Sequence, residues 1–243
     1  ALTHEKIPVS AVHSAAGAPA RWISVHTVTI PAVMTACSAT PARPWIKSAN
    51  RTDRERDKPL TDKHTTDARC MPGQGLAIGK LKIPGRTFLA PLAGITNLPF
   101  RRLVKECGCA VVCSEMVSAK GIFYNSDKTR VLMASRPDES PLSIQLFGAD
   151  PESMARAARV VQDETLAALV DVNFGCSVKK VVRQGAGVAL MKEPALARSI
   201  LEGMRAATTL PLTIKIRTGW NGSGDQALEI ARIAEGSGVD AIA

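Results

Sequence analysis

The sequence predicts an α/β fold, a (β/α)8 barrel of which about the first five to six strands are present. Two patterns carry that prediction. After residue 70, short apolar runs alternate with amphipathic stretches, the rhythm of parallel strands covered by helices. Within several runs, polar residues recur at every second position and mark a face that no helical layer could cover without leaving them unpartnered.

The strands are expected at Thr87 to Pro91, Ala110 to Ser114, Leu142 to Phe147, Leu169 to Asn173, Leu212 to Arg217 and, incipiently, Val239 to Ala243. The first five are each followed by a helix signal. Asn97 as a cap with Pro99 near the start precedes Phe100, Leu103, Val104 and Cys107 at helical spacing, and Gly108 supplies a stop. Asp150-Pro151 repeats the device ahead of Met154, Ala157, Ala158 and Val161. Further helices start near Pro194, with Leu196, Ile200, Leu201 and Met204, and near Asp225, with Leu228, Ala231 and Ala234. The Gly185-Ala186-Gly187 stretch follows no strand in dinucleotide-binding spacing and reads as a flexible loop.

Such a series fits an open doubly wound sheet or a closed barrel, and residue parity separates them. Ser143 and Gln145 lie opposite Ile144 and Leu146; Asp171 and Asn173 lie opposite Val170 and Val172; Thr213, Lys215 and Arg217 lie opposite Leu212, Ile214 and Ile216. Three strands thus send polar groups to one interior. Gln145, Asn173 and Lys215 come late in their strands, where barrels hold their active sites. Just past the fourth strand, Cys176 sits in a loop beside Lys179 and Lys180, a setting for a reactive thiol rather than a packed one.

Residues 1 to 70 are expected to be a low-order extension ahead of the folded region at 71 to 243, with Met71 near the natural start. The formal charge of +9 and pI near 9.5 would attract polyanions. No run reaches the ~18 apolar residues of a membrane span, so no membrane partner is expected. Six cysteines without a C-x-x-C pair, in a chain with 45% hydrophobic residues, suggest no structural metal and unpaired thiols in a cytoplasmic setting.

The stretch Ala90-Pro91-Leu92-Ala93-Gly94-Ile95-Thr96-Asn97-Leu98-Pro99-Phe100-Arg101 resembles the opening motif of the tRNA dihydrouridine synthases. Gln145-Leu146-Phe147-Gly148, Asp171-Val172-Asn173-Phe174-Gly175-Cys176, the loop from Lys179 to Gly187, and Lys215-Ile216-Arg217-Thr218-Gly219-Trp220 resemble its later motifs in the same order, with the bacterial B-type subgroup the best match. The resemblance runs from about Leu76 to the end. It implies an FMN-binding barrel, reduced by NADPH, that transfers hydride to C6 of a uridine in tRNA. It implies Pro91, Leu92 and Ala93 as backbone along the flavin, Gln145 at its pyrimidine edge, Lys215 as the cation beside it, and Cys176 as the acid that protonates C5. Asn173 is then placed to read the uracil, Arg217 to meet substrate or phosphate, and Lys179 to steady the thiolate or touch tRNA.

A thiol suits such an acid, because its ordinary pKa of about 8.5 leaves it mostly protonated at neutral pH. The family commonly has proline after the cysteine, where this chain has Ser177. The segment from the first strand to Ala243 is also shorter than a full barrel of ~200 to 250 residues, so the last two strands are expected to be missing and the chain by itself inactive. The alternatives are an FMN-dependent barrel reductase for a small molecule and a non-functional gene fragment.

Overall fold

The computed structural model describes residues 26–28, 75–219 and 224–243. In chain order, the strands are β1 (His26–Val28), the antiparallel hairpin β2 (Leu76–Ile78) and β3 (Leu81–Ile83), then β4 (Thr87–Leu89), β5 (Val112–Ser118), β6 (Leu142–Phe147), β7 (Ala167–Asn173), β8 (Leu212–Lys215) and β9 (Ala241–Ile242). The helices are α1 (Leu98–Glu106), α2 (Ala119–Phe123), α3 (Asp127–Met133), α4 (Pro151–Glu164), α5 (Lys179–Val182), α6 (Pro194–Ala207) and α7 (Asp225–Gly236).

Strands β5 to β9 form one parallel sheet in which each strand lies beside its neighbour in sequence. β4 joins the β5 side through a parallel bridge between Phe88 and Val111, and the Leu89 N–H donates to the Val111 carbonyl at 2.9 Å. The order never reverses, so the sheet lacks the switch point of a doubly wound fold. Within the segment expected to lack regular structure, β1 pairs in parallel with β4. The rest of that segment, Met71 included, lies outside the described residues, as does Trp220.

Alternation along the strands decides which side chains meet the helices. Ile144, Leu146, Val170, Val172, Leu212 and Ile214 are at most 1% exposed and pack with Met154, Ala157, Ala158 and Val161 of α4 and Ala197, Ile200, Leu201 and Met204 of α6. Burying a side chain of the larger kinds contributes about 1.5–3 kcal/mol, which makes this layer the main source of stability. The hairpin closes the other end of the sheet, where Ile78 and Ile83 pack on Val111, Leu169 and Ala241.

The helix starts follow their caps. The Asn97 side chain accepts from the Phe100 N–H at 3.1 Å, and the Asp150 side chain accepts from the Ser153 N–H at 2.8 Å. Four expectations need correction. The buried face of α1 is Arg101 and Val104, with Leu103 half exposed, because Arg101 enters a buried ion pair with Glu139 at 2.7 Å. The buried stripe of α7 is turned toward Ile230 and Ile233, leaving Leu228 exposed. β5 runs beyond Ser114 to Ser118, carried past a register shift between Cys113 and Met116. Cys107, at the end of α1, is disulfide-bonded, whereas Cys109, Cys113 and Cys176 are free, so cysteine usage alone does not fix the compartment.

Candidate active site at the strand ends

The face of the sheet opposite the helices opens into a cleft. Its apolar wall includes Ile78, Phe88, Leu89, Val111 and Leu169; its polar lining is Cys113, Ser143, Asp171, Thr213 and Lys215, with Ala90 and Pro91 at one side. The parity read from the sequence therefore holds for Ser143, Asp171, Thr213 and Lys215, which share one face across three strands.

Beneath this lining is a connected set of hydrogen bonds. Thr213 Oγ1 donates to Asp171 Oδ1 at 2.5 Å, and Gln145 Nε2 donates to Asp171 Oδ2 at 2.6 Å. Gln145 Oε1 accepts from Asn173 Nδ2 at 2.8 Å, and Asn173 Oδ1 accepts from the backbone N–H groups of Gly175 at 3.1 Å and Cys176 at 2.8 Å. Met116 Sδ takes a further contact from Asn173 Nδ2 at 3.0 Å. Gln145 is fully buried and Asn173 nearly so, which makes these bonds obligatory rather than exchangeable with water. The bulge in β5 contributes as well: Ser114 Oγ accepts from the Gln145 N–H at 3.1 Å where the ladder is interrupted.

Burial pushes the Asp171 carboxyl above the usual carboxylate range, while the bonds from Gln145 and Thr213 and the charge of Lys215 act the other way. Burial and the neighbouring Asp171 charge push the Cys113 thiol far up, so it stays neutral. Cys113 is thus the inert thiol of the cleft.

Cys176 is partly exposed in the loop after β7. Its N–H is held by Asn173, and its carbonyl accepts from the Val188 N–H at 3.0 Å. Gly187 lies over that carbonyl with φ +64°, in the left-handed region. The stretch expected to be a flexible loop is instead buried at Ala186 and Gly187 and clamps the cysteine. Just past β8, Arg217 Nε donates to the Gly175 carbonyl at 2.5 Å, and Arg217 Nη2 donates to Ser177 Oγ at 3.2 Å. The Ser177 hydroxyl thus gives the loop a tether that a proline at this position would not offer.

The Pro91 to Ala93 segment is fixed by a turn. The Leu92 carbonyl accepts from the Ile95 and Thr96 N–H groups, both at 3.0 Å, and Gly94, with φ +76°, donates its N–H to Glu115 Oε2 at 2.5 Å. Arg101 Nη1 donates to the Thr96 carbonyl at 3.0 Å, so the buried Arg101–Glu139 pair also anchors this turn.

Of the residues singled out from sequence, Pro91 and Lys215 line the cleft, Gln145 and Asn173 are buried in the chain of bonds leading to Cys176, and Leu92 and Ala93 lie in the adjoining turn. Lys179 and Arg217 are exposed near Cys176 at the rim. Asn173 spends both ends of its amide on the protein, holding the cysteine loop. Sequence reasoning assigned no role to Asp171, Glu115 or Gly187. Parity did point Asp171 inward, but nothing local reveals a contact between Gly187 and Cys176.

The model of the family described as dihydrouridine synthase (Dus) matches residues 88–243. The chain belongs to this family. It is 42% identical over 166 residues to tRNA-dihydrouridine synthase B of Pseudomonas syringae pv. tomato, covering 68% of this chain and 49% of that protein. The protein of the same name from Escherichia coli K12 is 40% identical over 167 residues, 69% of this chain and 52% of that protein. That from Salmonella typhimurium is 41% identical with the same coverage. The chain spans about half the length of the curated relatives it matches. Among the described residues there is no cluster suited to a metal ion, and no helix is long and apolar enough to cross a membrane.

Proposed function

We propose that this chain supplies the catalytic half of a flavin-dependent tRNA dihydrouridine synthase, with residues 71 to 243 as the N-terminal portion of a (β/α)8 barrel and residues 1 to 70 as a preceding extension, of which β1 runs beside β4. The single observation that carries the reading is the partly exposed Cys176, held by Asn173 at 2.8 Å at the end of a strand beside a cleft lined by Pro91 and Lys215. Pro91 and Lys215, on the strand-end side of the cleft, are the residues that would hold FMN, and Lys215 is the one cation among the lining residues. The Pro91 to Ala93 backbone would lie along the flavin, and Gln145 keeps one amide hydrogen and one carbonyl lone pair beyond its bonds to Asp171 and Asn173.

When bound, the flavin, reduced by NADPH, supplies hydride to C6 of a uracil. The protein does the rest. Cys176 gives its proton to C5, so that one hydride and one proton saturate the C5–C6 bond and a thiolate is left to be reprotonated from solvent. The tethers from Asn173, Val188 and Arg217 hold the thiol loop still during that transfer. Lys179 and Arg217 give the rim positive charge for tRNA phosphates, and the uracil must leave its stack to reach the cleft. Such an enzyme works in the cytoplasm, on tRNA.

The test is flavin absorbance and dihydrouridine formation in unmodified tRNA with NADPH, on the protein expressed from its complete gene, with and without Cys176→Ala. Yellow protein that makes dihydrouridine at least about 100-fold faster with the thiol than without it is the expected result. Yellow protein that reduces a small unsaturated carbonyl compound but leaves tRNA untouched overturns it.

A further inference from the structure

We propose that Asp171 is a positioning residue: as the terminal acceptor of a one-way chain of hydrogen bonds through Gln145 and Asn173, it holds the Gly175–Cys176 backbone at the end of β7. Its bearing on proton delivery rests on the reading of Cys176 given above; the positioning itself does not.

The direction of the chain follows from its two ends. The Gly175 and Cys176 N–H groups can only donate, and an ionised carboxylate can only accept. Between them stand two primary amides, each with one donating and one accepting end, at 2.8 Å from each other. Both must therefore point the same way. Turning Gln145 over would set its Oε1 against Asp171 Oδ2 and its Nε2 against Asn173 Nδ2, two repulsions where water does not reach. Thr213 fixes the rotation of the carboxylate by donating to Oδ1, which leaves Oδ2 for Gln145. The groups around Asp171 do not interfere. The Cys113 thiol stays neutral; burial favours the protonated acid at Asp171, and the bonds from Gln145 and Thr213 and the Lys215 charge act the other way, toward the ionised carboxylate. With Asp171 as acceptor, Asn173 has one orientation, and the cysteine loop hangs from it.

A buried aspartate with a purely space-filling role gives a different expectation, since an apolar group of similar size often replaces a buried polar one at no cost. The experiment is amide hydrogen exchange by NMR on the full chain, comparing the wild type with Asp171→Leu and Asp171→Asn. The leucine variant is expected to lower the protection of the Gly175 and Cys176 amides about tenfold, the loss of one buried hydrogen bond, while Val172 and Ile214 in the strand ladder keep theirs. The asparagine variant is expected to restore most of it, because its carbonyl still accepts from Gln145 and its amide can donate to Thr213 Oγ1.

Wild-type protection at Gly175 and Cys176 in a folded leucine variant overturns the proposal, and so does a loss spread evenly over the strand amides. Where the leucine variant does not fold, Gln145→Met breaks the same chain at its middle and is judged by the same two outcomes. Neither flavin nor tRNA enters this readout. A finding that Cys176 is not the acid would leave it standing, and its failure would leave the assignment of Cys176 untouched.

Discussion

Replacing Gly187 with alanine probes the clamp on Cys176 directly. The backbone there has φ +64°, and an added Cβ would lie 2.5 Å from the Cys176 carbonyl oxygen, 3.0 Å from Val181 Cγ1 and 3.2 Å from Cys176 Cβ. The left-handed conformation costs an alanine roughly 1–2 kcal/mol. The contact with the oxygen cannot be relieved by a side-chain rotation, since that oxygen belongs to the backbone and already accepts from the Val188 N–H at 3.0 Å. Overpacking of this kind adds about 1–3 kcal/mol, for a total of roughly 2–5 kcal/mol.

Gly94→Ala is the matched control, because Gly94 has φ +76° but nothing within 4 Å of its would-be Cβ. It should carry the conformational cost alone, roughly 1–2 kcal/mol. Urea denaturation of both variants, supported by a Tm lower by roughly 4–20 °C for Gly187→Ala, measures the difference. Equal destabilisation by the two substitutions would refute the clamp and return the stretch to a flexible loop.

Glu139→Gln leaves the buried Arg101 guanidinium without its counter-charge and should cost about 3–5 kcal/mol, read as a shifted denaturation midpoint. Because burial raises the Asp171 carboxyl, the native state holds that proton to higher pH than the unfolded chain does; stability therefore falls as pH rises from the unfolded value near 4 through the native one. Asp171→Asn should lose that contribution, so the stability difference between wild type and variant should change across that window, and a pH-independent difference would contradict the direction of the shift. Lys179→Ala removes an exposed rim charge and should reduce the slope of log affinity for tRNA against log salt by about one, with little effect on folding.

Much of the site was legible before the structure because it is a matter of parity. Residues two apart in a strand share a face, so Asp171 with Asn173, and Thr213 with Lys215, had to point together once their strands were recognised. The short hairpin at Leu76–Ile83 and the helices α2 and α3 were not read, since elements of three to seven residues hold too little of any period to stand out. On α1 the apolar spacing misled, because the free energy of the Arg101–Glu139 pair depends on a residue 38 positions away.

By itself the sequence determined the alternation of strands and helices, the caps at Asn97 and Asp150, the common face of the polar residues and the motifs of the family. These are local patterns, written in neighbouring residues and in periods of two and 3.6. Only the tertiary structure decided what each polar group is bonded to: that Asn173 holds the backbone of Cys176, that Asp171 closes the chain behind it, that Gly187 covers the cysteine carbonyl, and that Ser177 ties to Arg217. Those partners lie on different strands and loops, and their choice depends on distances that exist only after the sheet has brought them together.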